Sequence, residues 1–203
     1  AYQRVIFDEA HSIEDSATEF FGEETSRNTL LSLLGRIVRV EKQRERGLLP
    51  FLRMKLIREA TPDNEDTINK ILSFIDHSLY PFVSVVREVV RDTFDRVRNF
   101  VSQRTEVIGR EIKLRLTPEM LKEPELRSIY EMSVLPTTEQ LGRCGLLCLD
   151  LVERLKDLRT AEPSTKESPY VAEILELQSY ADKLKKLATF LSTVLNEELP
   201  DGV

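Results

Sequence analysis

From Ile68 to Val101 apolar residues return every three or four positions: Ile68, Leu72, Ile75, Leu79, Phe82, Val86, Val90, Phe94, Val97 and Val101. An α-helix turns once in about 3.6 residues, so this spacing lines the side chains along one helical face. A stripe of that length must be covered by other helices, and this demand constrains the fold more than any other feature of the chain. Pro81 falls inside it. Proline has no N–H to give, which predicts a kink or break near His77 to Tyr80.

The same period recurs on both sides. Leu30, Leu31, Leu34, Ile37 and Val38 predict a helix capped by Ser26 and broken by Gly47. Leu49, Leu52, Leu56 and Ile57 predict a shorter one from about Leu48 to Glu59. Thr61-Pro62-Asp63 reads as the start of the long segment. Thr117-Pro118-Glu119 starts a short helix, and another is expected around Glu125 to Val134. Leu135-Pro136-Thr137 begins one whose stripe is Leu141, Cys144, Cys148, Leu151, Leu155 and Leu158. After a polar loop, Arg159 to Ser168, Ser168-Pro169 opens a last helix with Leu177, Tyr180, Leu184, Leu187, Leu191 and Val194. Extended structure is expected in two places only: a buried strand at Tyr2 to Phe7 with a short helix after it (Ser12 to Glu19), and the alternating "EIKLRL" of Glu111 to Leu116. The fold class expected is therefore mainly α, a bundle of long antiparallel helices with minor short strands.

Composition agrees. Hydrophobic residues make up 41% and charged residues 32%, with 7 glycines among 203 residues. Such a balance suits a helical globular chain rather than a disordered one. Two cysteines make neither a disulfide framework nor a zinc site, and fit a reducing cytoplasmic compartment. The uncharged stretch His77 to Val86 is far shorter than the roughly 20 residues a membrane-spanning helix needs.

One motif carries chemistry. Asp8-Glu9-Ala10-His11 directly follows the apolar run Val5-Ile6-Phe7. A strand would bring Asp8 to its C-terminal end, where nucleotides bind in α/β folds. There Asp8 would hold Mg²⁺ through hard oxygen ligands, Glu9 would polarise the attacking water, and His11 would sense the γ-phosphate. The bland reading is a solvated acidic helix start. The other half of an ATP site is missing: no glycine is followed by lysine, so no G-x-x-x-x-G-K-[ST] loop exists to cradle phosphates. The chain is accordingly expected to be a piece of a larger motor and to turn over no ATP alone.

"VIFDEAHSIED" resembles motif II of superfamily-2 DNA helicases of the XPD/DinG type, in which a DEAH box is followed by a large helical insertion, the Arch domain. On that resemblance residues 1–19 are the motif II strand and turn of the motor domain, and residues 20–203 are the Arch-type insertion. The resemblance implies an ATP-dependent 5′ to 3′ DNA helicase as the parent. Asp8, Glu9 and His11 would be its catalytic residues, with Asp8 and Glu9 at the Mg²⁺ of ATP. The Arch would gate and guide single-stranded DNA beside the motor. A 4Fe–4S cluster is implied for many members, with ligands before motif II and outside this chain. Cys144 and Cys148 share one apolar helical stripe and read as core. An insertion leaves and re-enters one motor domain, so Ala1 and Val203 are expected at the same end. The strand, cut off from its sheet, is expected to fray or to pair with "EIKLRL".

The DNA contact is sought in charge. Between Arg36 and Arg58 stand eight basic residues (Arg36, Arg39, Lys42, Arg44, Arg46, Arg53, Lys55 and Arg58) against Glu41 and Glu45, in a chain of net charge −6. Two readings stand: a track for backbone phosphates, or a solvated helix face with charges paired along it. Phe51, within the stretch, either stacks on a base or packs. A second group, Arg87, Arg91, Arg96, Arg98 and Arg104, alternates with acids and reads as a charge-paired helix surface. His77 reads as structural. Against the helicase stands one alternative: a free-standing helical interaction scaffold in which the acidic motif is accidental.

Overall fold

A computed structural model describes residues 25–104, 114, 116–158 and 169–194. Within them the fold is mainly α, as the periodicity predicts. Eight α-helices and one two-stranded hairpin are described: α1 (Arg27–Ile37), β1 (Arg39–Glu41), β2 (Arg44–Arg46), α2 (Leu48–Arg58), α3 (Glu65–Phe74), α4 (Tyr80–Arg104), α5 (Pro118–Leu121), α6 (Pro124–Ile129), α7 (Leu135–Lys156) and α8 (Val171–Val194).

Three long helices, α4, α7 and α8, and the shorter α1 close a ring. Arg27 of α1 reaches Asp95 of α4 at 2.7 Å, while Arg87 of α4 donates to the Val38 carbonyl at 3.1 Å, so the two run antiparallel. Thr93 meets Thr137 at 2.7 Å and Arg143 lies over the Phe82 ring, which sets α4 antiparallel to α7. Tyr130 donates to the Ser192 carbonyl and Gly145 lies against the Ala181 backbone, which sets α7 antiparallel to α8. A Cβ at position 145 would come within 3.3 Å of the Ala181 carbonyl oxygen, so glycine permits the close approach of this pair. The ring's interior is one apolar core that includes Leu30, Leu34, Ile71, Val86, Leu151 and Leu184, with α2 and α3 packed on it. The stripe Leu141 to Leu158 is buried at every position named from the sequence, both cysteines included. A second small cluster of Phe100, Leu121 and Leu126 is joined by Leu114 and Leu116.

The two interior prolines do not break their helices. Before Pro81 the chain widens into a π-turn (Ile75–Leu79), and the Tyr80 N–H bonds back to the Ile75 carbonyl. Before Pro136 the same device spans Tyr130–Val134, with the Leu135 N–H on the Tyr130 carbonyl. One wider turn absorbs the missing donor and the bulk of the ring, and the helix continues. The expected break near His77 is thus a π-turn. The helix around Glu125 runs through the second π-turn into α7 instead of ending before it.

Two further expectations change. The first helix stops at Ile37, not Gly47, and residues 39–46 form a hairpin. The helix announced by Thr61-Pro62-Asp63 starts at Glu65, with Asn64 closing the turn by accepting from the Thr61 N–H at 2.7 Å. The Ser26 and Thr117 caps form as expected, accepting from Thr29 and Met120 N–H. Within "EIKLRL", Leu114 and Leu116 carry no strand, and its other residues lie outside the described ones. The loop 159–168, the strand and helix expected over 2–19, and both chain ends also lie outside the described residues.

Candidate nucleic-acid interface

The hairpin is built from "RVEKQRER". Its register pairs Arg39 with Arg46, Val40 with Glu45 and Glu41 with Arg44. Directly opposed residues share a face, so Arg39, Glu41, Arg44 and Arg46 stand together, and all six strand residues are exposed. Lys42 and Gln43 form the two-residue tip with φ of 48° and 63°. Left-handed backbone at both central positions is the conformation of a type I′ turn. At the base, Gly47 has φ of 113°, and a Cβ there would sit 2.8 Å from the Arg36 and Ile37 carbonyl oxygens. Only glycine lets the chain double back onto the end of α1.

The eight basic residues separate into groups. Arg39 lies 3.6 Å from Glu41 and Arg46 lies 3.7 Å from it. At these distances an exposed shared pair is weak and screened by solvent. Lys42 and Arg44 have no acidic partner among the described residues. Arg53 sits 2.9 Å from Asp76 and 3.5 Å from Glu45. Lys55 turns inward: its ammonium lies 2.8 Å from Glu173, 2.6 Å from the Pro169 carbonyl and 5.0 Å from the Tyr170 ring centre. It ties α2 to the start of α8 and offers no charge to the surface. Arg58 is exposed at the far end of α2, a whole helix length from the hairpin. Arg36 faces solvent on α1.

Arg36 also joins two hollows. One, of about 510 Å³, lies between the hairpin base and α8 and is lined by Arg39, Phe51, Glu176 and Tyr180 among others. The second, of about 600 Å³, runs between α1 and α8, with Lys183 and Lys186 on one wall and Asn28 and Ser32 on the other. The two hollows share Arg36 and flank the α1–α8 seam, and are together termed the α1–α8 groove. Lys183 and Lys186 escape a reading of the sequence because they stand near the opposite end of the chain from Arg36. Their signal is the spacing of two lysines either side of Leu184, a residue buried in the core. Glu176 accepts a hydrogen bond from the Tyr180 hydroxyl. Burial, and then this carboxylate, raise the Tyr180 phenol well above its ordinary range.

The second arginine group is paired as expected in part: Arg91 with Glu88, and Arg104 with Glu123 and Glu125. Asp8, Glu9 and His11 lie outside the described residues. Among those described, no three His, Cys, Asp or Glu side chains are placed to hold a metal, and no helix is long and apolar enough to cross a membrane. Cys144 and Cys148 are buried free thiols. The hydrogen bond to Cys144, then burial, push the Cys148 thiol up. Compared with protein-family models, with curated proteins and with solved structures, the chain has no match.

Proposed function

We propose that this chain is the motif II strand and helical insertion of an XPD/DinG-type, ATP-dependent DNA helicase, and that its helical body contacts single-stranded DNA through the basic hairpin. Two things support the class: the run Val5 to His11 and the mainly helical body that follows it. The hairpin carries the DNA contact. Three arginines share one of its faces, Lys42 crowns it, and a single glutamate on that face screens them only weakly.

In the parent, Asp8 and Glu9 would serve the Mg²⁺ of ATP and the attacking water, and His11 would couple the γ-phosphate to movement. The phosphate cradle would come from a Walker A loop elsewhere in the motor. An iron–sulfur cluster in the parent would take its ligands from before motif II, as the resemblance implies, with Cys144 and Cys148 packed in the core. The scaffold reading draws on one observation: Phe51, Met54 and Ile57 make an exposed apolar ridge on α2. Anisotropy with labelled single-stranded and duplex oligonucleotides separates the two. The helicase reading expects salt-sensitive binding of the single strand over the duplex, and no ATP turnover by the chain alone. Binding to neither, or turnover by the chain itself, contradicts it.

A further inference from the structure

The hairpin's arginines are the obvious place for an anion, but they end at the base of the groove and do not fill it. One hollow reaches from Arg39 to Arg36, and a second begins at Arg36 and runs along α1 to Asn28, more than two helical turns further on. Over this length α8 runs alongside and supplies Lys183 and Lys186. Arg36, Lys183 and Lys186 are exposed and have no acidic partner among the described residues; the one acid lining the groove, Glu176, is held by Tyr180.

The other lining groups narrow the ligand. Leu33 and Leu187 add apolar lining between the lysines of α8 and the Asn28, Ser32 and Arg36 side of α1. Phe51, 56% exposed, lines the hollow at the hairpin end. A duplex hides its bases in the stack and shows a groove of this kind only phosphates. A single strand offers both charges for the basic residues and flat apolar faces for the leucines and the Phe51 ring, the combination that sequence-tolerant single-strand sites use. An acidic peptide would satisfy the lysines but leave the aromatic ring without a partner.

We infer that the α1–α8 groove is a second, deeper part of the single-strand path, in which Arg36, Lys183 and Lys186 hold successive phosphates and Phe51 stacks on a base. The inference rests on the DNA-binding reading above and extends it from the hairpin into the body of the bundle.

The test uses the whole chain with fluorescein-labelled dT20, a matched duplex and poly-glutamate, each titrated over a range of salt. Three variants are compared with wild type: K183E/K186E in the groove, R39E/R44E/R46E on the hairpin, and the charge-conserving K183R/K186R. Circular dichroism confirms that each remains helical. K183E/K186E is expected to weaken dT20 binding at least tenfold and to flatten log affinity against log salt by about 1.4, two contacts at about 0.7 each. K183R/K186R is expected to bind as wild type does. A 5-iododeoxyuridine oligonucleotide should crosslink at Phe51. If K183E/K186E binds dT20 as wild type while the hairpin variant does not, the groove inference is overturned and the hairpin reading stands. If wild type does not bind dT20, both fall. If poly-glutamate binds more tightly than dT20 and K183E/K186E abolishes it, the groove takes an acidic peptide and the inference is overturned.

Discussion

Lys55 takes its charge into the protein, and the energy of doing so is recovered only while Glu173 is present. The two side chains are 15% and 6% exposed, and the second oxygen of Glu173 has no hydrogen-bond partner among the described residues. Lys55→Met would leave a carboxylate buried and uncompensated, a loss of about 3 kcal/mol. Urea unfolding should show it, and the double variant Lys55→Met/Glu173→Leu should recover most of it. Tyr170 and Tyr180 give the molecule an alkaline limit. Burial first, and neighbouring carboxylates second, raise both phenols above their ordinary 10.0. A phenolate at either place would be desolvated beside negative charge. An acid whose pKa is raised by folding contributes fully below its unfolded value and loses that contribution as pH climbs past it. Thermal melts should therefore hold steady below pH 10.0 and fall above it, and Tyr170→Phe/Tyr180→Phe should reduce that fall.

At the scale of elements the hairpin is the informative case. Its sequence contains no Asn-Gly or Asp-Gly, the strongest short-range turn signals, and its alternating charges fit a helix face as well as a strand. From sequence alone a helix up to Gly47 fits as well, and the eight basic residues read as one stretch. Folded, they divide among a hairpin, an inward ion pair and the far end of α2. Lys42 and Gln43 hold the tip in left-handed backbone, which costs side-chain-bearing residues more than glycine. Replacing them by Asn-Gly should stabilise the chain by about 1 kcal/mol in urea unfolding, since that pair adopts the turn without strain. Gly47 has a positive φ and no room beside two carbonyl oxygens. Gly47→Ala should therefore cost at least about 2 kcal/mol in the same measurement. The stripe from Leu141 to Leu158, the short helix from Leu48 and the Ser26 cap are legible because each depends on neighbours three or four residues away. The π-turns are half legible. Pro81 announces a disturbance, but packing on both sides of it decides that the helix widens rather than breaks. The α1–α8 groove is not legible at all: its basic residues, Arg36 and then Lys183 and Lys186, come from opposite ends of the chain, and only antiparallel closure of the ring brings them together.

For the whole molecule, charge works at two ranges. The net charge of −6 holds polyanions off, while the hairpin and groove concentrate positive charge on one side. On the proposed reading, binding to single-stranded DNA should be steep in salt and confined to that side. The measurement that bears most directly on this account is the affinity of the chain for dT20 before and after Arg39, Arg44 and Arg46 are reversed to glutamate, with Arg58→Glu as the distant control. The triple variant is expected to lose at least tenfold in affinity and about two units of salt slope, and the control to behave as wild type. Equal affinity and slope for wild type and the triple variant would contradict the proposed DNA contact.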